Sequence, residues 1–176
     1  MRLFIAINFE NSIVNSLKQL QSSLKKCGLK GRYSSEENLH LTLAFIGEYD
    51  DPDKVLDVME EVEFEEFSIE ISGIGNFGTL YWTGVEDNPY LMDYAKRLRR
   101  NLADNRIPFD KKKYRPHVTL IRRGEFVNGR VRLPEEIPEM KMVVRSVSLV
   151  KSELTNNGSI YTVLGEIPCI ENDVSL

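Results

Sequence analysis

The order of apolar and polar residues predicts alternating strands and helices in the first half of the chain. Residues 2–9 form a mostly apolar run that is typical of a buried strand. Apolar residues then recur at helical spacing as far as Leu24, and Gly28 is placed to end that helix. A polar loop follows. A second strand, a second helix and a third strand are predicted at residues 39–46, from Pro52 and at residues 67–74.

The same order of elements begins again in the second half. A strand, a helix with one basic face and another strand are predicted at residues 79–85, 91–102 and 116–122. Two more strands are predicted at residues 142–150 and 160–167, and the residues Asn156-Asn157-Gly158 between them are typical of a hairpin turn.

A short sequence repeat coincides with this restart. Residues 40–43 (HLTL) followed by Gly47 match residues 117–120 (HVTL) followed by Gly124, at an offset of 77. The same offset aligns the first strand and helix with the strand and helix of the second half. A unit that occurs only twice does not indicate a solenoid. It predicts two lobes related by a pseudo-twofold axis.

Composition indicates a globular protein outside the membrane and the secretory pathway. Hydrophobic residues make up 41% and charged residues 28%, which excludes a disordered chain, a collagen and a coiled coil. The longest apolar runs are too short to cross a bilayer, and the N-terminal residues lack the features of a signal peptide. Cys27 and Cys169 are too few for a disulfide framework. We therefore expect a cytoplasmic protein that does not bind membranes.

Charge is distributed unevenly along the chain. The net charge is −4, but residues 48–70 carry −10 and residues 89–133 carry +9. A chain that is acidic overall can still present a basic cleft to a phosphate. The alternative interpretation is two oppositely charged faces that are simply solvated.

Both histidines of the chain lie in the repeated motif. Residues two apart in a strand face the same way, so His40 shares a face with Thr42, and His117 shares one with Thr119. Two imidazoles can act as a general base and a general acid near neutral pH. Threonine hydroxyls can donate hydrogen bonds to an oxyanion. This set of groups suits the cleavage of a phosphate ester.

Other catalytic chemistries find less support in the sequence. A transition-metal site usually needs three or four ligands, and neither His40 nor His117 has a partner at metal-ligand spacing. The chain contains no G-x-S-x-G and no phosphate-binding G-x-x-x-x-G-K-[ST] motif. We therefore expect no metal and no cofactor.

These motifs resemble those of the 2H phosphoesterase superfamily, and within it the RNA 2′,3′-cyclic phosphodiesterase family, historically called 2′-5′ RNA ligase. The resemblance extends over residues 2–6, 37–47, 73–77 and 115–122. It implies an α+β, bilobal fold with mostly antiparallel sheets lining a central groove, formed by residues 1–176 as a single domain. It also implies a metal-free reaction that opens an RNA 2′,3′-cyclic phosphate to a 2′-phosphate.

The resemblance also implies roles for six residues. His40 is the general acid that protonates the leaving O3′, and His117 is the base that activates water. The remaining four bind substrate: Thr42, Thr119 and Arg122 the phosphate, and Phe45 the nucleobase.

The spacing of Phe45 and Arg122 conflicts with a regular strand. Each lies five residues after its histidine, so a regular pleat points it away from the groove, whereas Arg123 has the matching parity. A bulge or a strand end is needed to turn Phe45 and Arg122 back. Core packing is the alternative role for Phe45.

Three other functions remain open at the sequence level. The reverse reaction gives an ATP-independent RNA ligase that forms 2′-5′ linkages. The same chemistry also suits another nucleotide cyclic phosphate or a 2′-5′ oligonucleotide. The third alternative is a non-catalytic RNA-binding module. In each case the expected partners are RNA ends or nucleotide cyclic phosphates, with Lys111 to Lys113 near phosphates or in a solvated loop, and the expected state is a monomer.

Overall fold

The computed structural model describes residues 1–171, which form nine strands and three helices. In chain order these are β1 (Arg2–Asn8), α1 (Asn11–Lys26), β2 (Leu29–Tyr33), β3 (His40–Glu48), α2 (Pro52–Glu60), β4 (Phe67–Phe77), β5 (Leu80–Val85), α3 (Pro89–Asp104), β6 (His117–Phe126), β7 (Met140–Val144), β8 (Ser146–Thr155) and β9 (Gly158–Pro168).

The strands form two antiparallel sheets. The first sheet has the order β3-β1-β8-β9, and the second has the order β2-β6-β5-β4-β7. The units β1-α1-β3 and β5-α3-β6 correspond at the offset of 77, and β4 corresponds to β8 at nearly the same offset. The α+β class, the duplication and the antiparallel sheets predicted from the sequence are therefore confirmed.

Each half of the chain contributes strands to the sheet of the other half. β4 follows β3 in sequence but pairs with β5 and β7 in the second sheet. β8 and β9 end the chain's second half but complete the first sheet beside β1. The two sheets are thus linked by exchanged strands.

The helices cover one face of each sheet and leave the other face free. The apolar side of α1 packs with residues of β6, including Leu17 against the cluster that contains Leu120. The apolar side of α3 packs with β1 and β3, including Leu98 in the cluster that contains Leu43. Each fully buried leucine contributes about 1.5–3 kcal/mol through the hydrophobic effect. None of the helices described here is both long and apolar enough to cross a bilayer.

Helix ends follow the sequence signals. Asp51 accepts a hydrogen bond from the backbone N–H of Lys54 at 3.1 Å, directly before Pro52 at the first turn of α2. Gly28 follows the last turn of α1 with a φ of +93°, a left-handed conformation that glycine adopts without strain.

The predicted polar loop after Gly28 contains a strand, β2. Its five residues (LKGRY) are mostly exposed and pair with the edge of β6, so neither hydrophobic alternation nor β-propensity marked it. A Cβ at Gly31 would lie 2.9 Å from the carbonyl oxygens of Arg122 and Arg123. The glycine therefore permits the close approach of the two backbones.

The single strand predicted at residues 142–150 is wrong, because two strands occupy this region. β7 ends at Val144 in the second sheet, and β8 begins at Ser146 in the first sheet. The alternation changes phase at the two polar residues Arg145 and Ser146, but no glycine or proline marks this break, so the apolar residues on both sides read as one strand.

Candidate active site

The two motif histidines lie at the first positions of β3 and β6. Backbones of these strands approach within 8 Å between Cα atoms, although the strands belong to different sheets. His40, Thr42, His117 and Thr119 are all half-buried and alternate with fully buried leucine or valine residues. The structure therefore brings the two H-x-T motifs together at one place, which we call the central groove.

A backbone carbonyl orients each imidazole in the same way. Nδ1 of His40 lies 2.7 Å from the carbonyl oxygen of Asn38, and Nδ1 of His117 lies 2.7 Å from that of Arg115. A carbonyl only accepts hydrogen bonds, so Nδ1 carries a hydrogen in both rings. In the neutral ring each Nε2 is consequently the nitrogen without a hydrogen, and so the one that is able to accept a proton.

The environment of His40 keeps its imidazole neutral in the free protein. The pKa of His40 is lowered to about 4, mainly by burial and also by the positive charge of Arg122 and by His117, whereas the contact with the Asn38 carbonyl opposes this change. Nε2 of the neutral ring lies 2.9 Å from Oγ1 of Thr42, from which it accepts a hydrogen bond.

Aromatic rings surround both imidazoles. The rings of Phe4 and Tyr161 lie 4.8 Å and 5.4 Å from that of His40, measured between centroids. Phe77 and Trp82 lie 5.3 Å and 6.3 Å from the ring of His117. These rings restrict rotation of the imidazoles and reduce their contact with water. No role was predicted from the sequence for these four aromatic residues, because each lies far along the chain from the histidine that it contacts.

A β-bulge in β3 turns Phe45 toward the central groove. Ala6 of β1 lies opposite Thr42 and Ile5 lies opposite Ala44, so Leu43 has no partner in β1. Leu43 and Ala44 are both buried, and Phe45 returns to the half-buried face that also carries His40. The bulge that the sequence analysis required for Phe45 is therefore present.

An equivalent bulge in β6 changes the direction of Arg122. Trp82 lies opposite Thr119 and Tyr81 lies opposite Ile121, so Leu120 is the unpaired residue, 77 positions after Leu43. Arg122 is exposed and near enough to His40 to lower its pKa. The structure thus places Arg122 beside the groove.

The neighbouring aromatic and apolar residues define the position of Phe45. It packs against the small cluster of Phe4, Ala6 and Val150 on the groove face of the first sheet. The guanidinium carbon of Arg2 lies 5.1 Å from the centroid of the Phe45 ring. One side of this ring is therefore held by the protein, and the residue is only half-buried.

Side chains from α3 and the segment before β6 hold the bulge of β3. The Tyr114 hydroxyl donates to the carbonyl of Thr42 at 2.8 Å, and Nε of Arg99 donates to that of Leu43 at 3.1 Å. β3 is an edge strand, so these carbonyls have no strand partner on that side. The two contacts fix the backbone that positions Thr42.

The bulge of β6 is held in a corresponding way. The Ser34 hydroxyl donates to the carbonyl of Thr119 at 3.1 Å, and Nε2 of buried Gln21 donates to that of Leu120 at 3.0 Å. The two carbonyls lie 77 positions after those of Thr42 and Leu43. Both H-x-T strands therefore have their bulge carbonyls bound by side chains from outside the sheet.

The donor set offers little for a metal ion. Within residues 1–171, His, Cys, Asp and Glu side chains do not form a group of three or more that could hold one. The chemistry available in the groove is that of imidazoles, hydroxyls and a guanidinium.

Comparison with known families shows a match that is itself duplicated. The family described as LigT-like phosphoesterase matches residues 7–85 and again residues 84–161. The two matches begin 77 positions apart, which is the offset of the sequence repeat.

Similar proteins cover almost the whole chain. A protein of Thermotoga maritima named RNA 2′,3′-cyclic phosphodiesterase is 33% identical, over 94% of this chain and 94% of its own length. A protein of Methanocaldococcus jannaschii with the same name is 31% identical, over 94% and 99%. The crystal structure of E. coli LigT complexed with 3′-AMP has a TM-score of 0.84 at 23% identity, covering 97% of this chain and 98% of the other, which shows a shared fold.

Proposed function

We propose that this chain, which belongs to the LigT-like phosphoesterase family, hydrolyses RNA 2′,3′-cyclic phosphate ends to 2′-phosphates. Relatives at 33% and 31% identity carry the name of this activity and match the chain over nearly its whole length. The main structural support is the pair of imidazoles, each with Nδ1 on an equivalent backbone carbonyl and a motif threonine two residues away.

The two histidines divide the proton transfers of the reaction. Nε2 of His117 accepts a proton from water as the water oxygen attacks phosphorus. The bond between phosphorus and O3′ breaks, and Nε2 of His40 donates its proton to O3′. The products are a 2′-phosphate and a free 3′-hydroxyl. Proton exchange with solvent then restores the starting state of both rings.

Binding of the cyclic phosphate prepares His40 for its role as the acid. The substrate carries a negative charge that offsets the positive charge of Arg122, one of the causes of the low pKa of His40. The anion also favours the imidazolium directly. His40 is therefore neutral in the free protein and gains a proton together with the substrate.

The remaining site residues bind the substrate. The hydroxyls of Thr42 and Thr119 donate to the non-bridging phosphate oxygens, and the guanidinium of Arg122 stabilises their negative charge. The exposed side of Phe45 stacks on the terminal nucleobase. The mechanism uses no metal ion and no cofactor. We expect a 20.3 kDa cytoplasmic monomer, in which residues 1–176 act as one domain; light scattering gives the oligomeric state.

Phosphorus NMR tests the proposed function directly. A short RNA with a 2′,3′-cyclic phosphate end is incubated with the protein in EDTA, and the cyclic signal is expected to be replaced by that of a 2′-phosphate. His40→Ala and His117→Ala are each expected to lower the rate by about 100-fold or more, the usual contribution of general acid–base catalysis. Their circular dichroism spectra show whether the fold is retained.

Two results would overturn the proposal. A 3′-phosphate product would mean that the P–O2′ bond breaks instead. An unchanged cyclic phosphate, together with measurable RNA binding, would show a binding protein rather than an enzyme.

A further inference from the structure

A second concave surface lies outside the central groove, between α3 and residues 109–114. This surface, which we call the α3 pocket, has a volume of about 540 Å³. Its apolar lining includes Ala95, Phe109 and Tyr114. A volume of this size and a lining with two aromatic rings are typical of sites for ligands as large as a nucleotide.

The rim of the α3 pocket is strongly basic. Lys96, Lys111, Lys112 and Lys113 are exposed, and none of these four lysines forms an ion pair within residues 1–171. The one acidic residue in the lining, Asp93, accepts from Nε of Arg97 at 2.8 Å. The four lysines therefore have no acidic partner in contact within the described residues, while the carboxylate of Asp110 in the same segment acts on Arg99.

The α3 pocket shares its wall with the strand that carries the first H-x-T motif. Two of its lining residues, Arg99 and Tyr114, donate to the carbonyls of Leu43 and Thr42. Asp110, which lies between these two residues in the sequence, donates its backbone N–H to the carbonyl of Phe45 at 2.8 Å. The pocket thus lies along the edge of β3 that has no strand partner, beside the segment that leads into β6.

We propose that the α3 pocket binds a nucleotide of the RNA strand on the 5′ side of the cyclic phosphate. A strand that leaves the central groove past Phe45 and crosses residues 109–114 meets the pocket. There the ring of Phe109 contacts a base, and the lysines contact the phosphates on either side of it. This inference rests on the proposed function, because it assigns a second contact to the same substrate.

The experiment compares substrates of two lengths. A dinucleotide with a cyclic phosphate end is too short to reach the pocket, whereas an RNA of about ten nucleotides can occupy both sites. The test variant is Lys111→Gln/Lys112→Gln/Lys113→Gln. The matched control, Lys25→Gln/Lys26→Gln/Lys54→Gln, removes the same charge from exposed lysines on other parts of the surface.

The expected result is a loss confined to the longer substrate. The test variant lowers kcat/KM for the longer RNA by about tenfold through a higher KM, with kcat retained, and it cleaves the dinucleotide as the wild type does. The plot of log kcat/KM against log salt concentration becomes less steep by about 2, since each lost contact to a single strand removes about 0.7. The control variant behaves as the wild type with both substrates.

Direct binding separates this inference from the proposed function. The affinity of a fluorescent RNA with a 3′-phosphate, measured by anisotropy, is expected to fall for the test variant and not for the control, whether or not turnover occurs. Equal affinities for the test and control variants, or an equal loss with long and short RNA, would refute the pocket as an RNA site. If the wild type cleaved neither the dinucleotide nor the longer RNA, the proposed function would be refuted instead.

Discussion

At the scale of single residues, the chemistry depends on the environment of each imidazole rather than on the presence of histidine. The two histidines share a motif, a strand position and an orienting carbonyl. His40 has its pKa lowered to about 4, mainly by burial and also by the charges of Arg122 and His117. A group whose pKa differs between the folded and unfolded states makes the free energy of unfolding depend on pH.

The pH dependence of stability follows from this lowered pKa. The imidazole binds a proton near pH 6.5 in the unfolded chain but only near pH 4 in the folded protein. The unfolded state thus binds more protons in this window, so stability falls as pH falls from about 6.5 to 4. At about 1.4 kcal/mol per pKa unit, His40 accounts for a loss of roughly 3 kcal/mol.

Urea unfolding at several pH values measures this loss. His40→Gln, which does not titrate, is expected to lose about 3 kcal/mol less stability than the wild type between pH 7 and pH 4. Parallel pH curves for the two proteins would show that His40 is not the group responsible.

At the scale of secondary-structure elements, the two bulges decide which residues reach the groove. In both H-x-T strands a leucine without a strand partner shifts the pleat, so that Phe45 and Arg122 lie on the face from which regular alternation excludes them. The carbonyls of these bulges are bound by side chains that are distant in sequence, including Tyr114 and Gln21.

Replacement of Tyr114 tests whether these contacts position the catalytic strand. Tyr114→Phe removes the hydroxyl that donates to the Thr42 carbonyl and leaves the ring in place. We expect a stability loss of about 1 kcal/mol and a fall in kcat of about fivefold with little change in KM for a dinucleotide substrate. The reason is that in the proposed mechanism Thr42 donates to the reacting phosphate in the transition state.

A second tyrosine supplies the control for this change. Tyr33→Phe removes a similar bond, from the Tyr33 hydroxyl to the carbonyl of Leu29 at 2.6 Å, within β2. It is expected to lower stability by a comparable amount and leave kcat unchanged. Equal effects of the two variants on kcat would mean that Tyr114 acts only through overall stability.

The sequence predicted the elements that carry clear periodicity and missed those that depend on pairing. The H-x-T spacing identified His40 and His117, and the resemblance supplied Phe45 and Arg122, which a regular pleat excluded from the groove. The bulges themselves carry no local signal, because Leu43 and Leu120 are ordinary strand residues without glycine or proline beside them. The carbonyls of Asn38 and Arg115 that orient the imidazoles are backbone groups, which every residue type has, so the sequence could not predict them.

At the scale of the whole molecule, duplication and strand exchange act together. The repeat at an offset of 77 predicted the pseudo-twofold arrangement, and the duplicated family match agrees with it. The exchange of β4 and β8 between sheets was not predictable, because sheet membership is decided by long-range pairing rather than by local pattern.

Strand exchange predicts that neither half folds alone. A fragment of residues 1–78, which ends in the turn after β4, contains β1 but lacks β8, its partner in the first sheet. In this fragment one edge of β1 is unpaired and part of the core is exposed. The remaining contacts therefore do not offset the conformational entropy that the chain loses on folding.

Fragment complementation measures this dependence. Residues 1–78 and 79–176 are expected to show unfolded circular dichroism spectra when separate and to form a folded one-to-one complex when expressed together. A native-like spectrum from either fragment by itself would show that the halves are independent domains.

The central claim is that two histidines from pseudo-symmetric strands act as a general acid and a general base on a cyclic phosphate. The most direct test is the pH dependence of kcat/KM for a dinucleotide that ends in a 2′,3′-cyclic phosphate, measured in EDTA. We expect a bell-shaped profile, because one imidazole must be protonated and the other neutral in the transition state. A flat profile from about pH 3 to about pH 9 would contradict it, since kcat/KM must follow the titration of His40, which has a pKa of about 4 in the free protein.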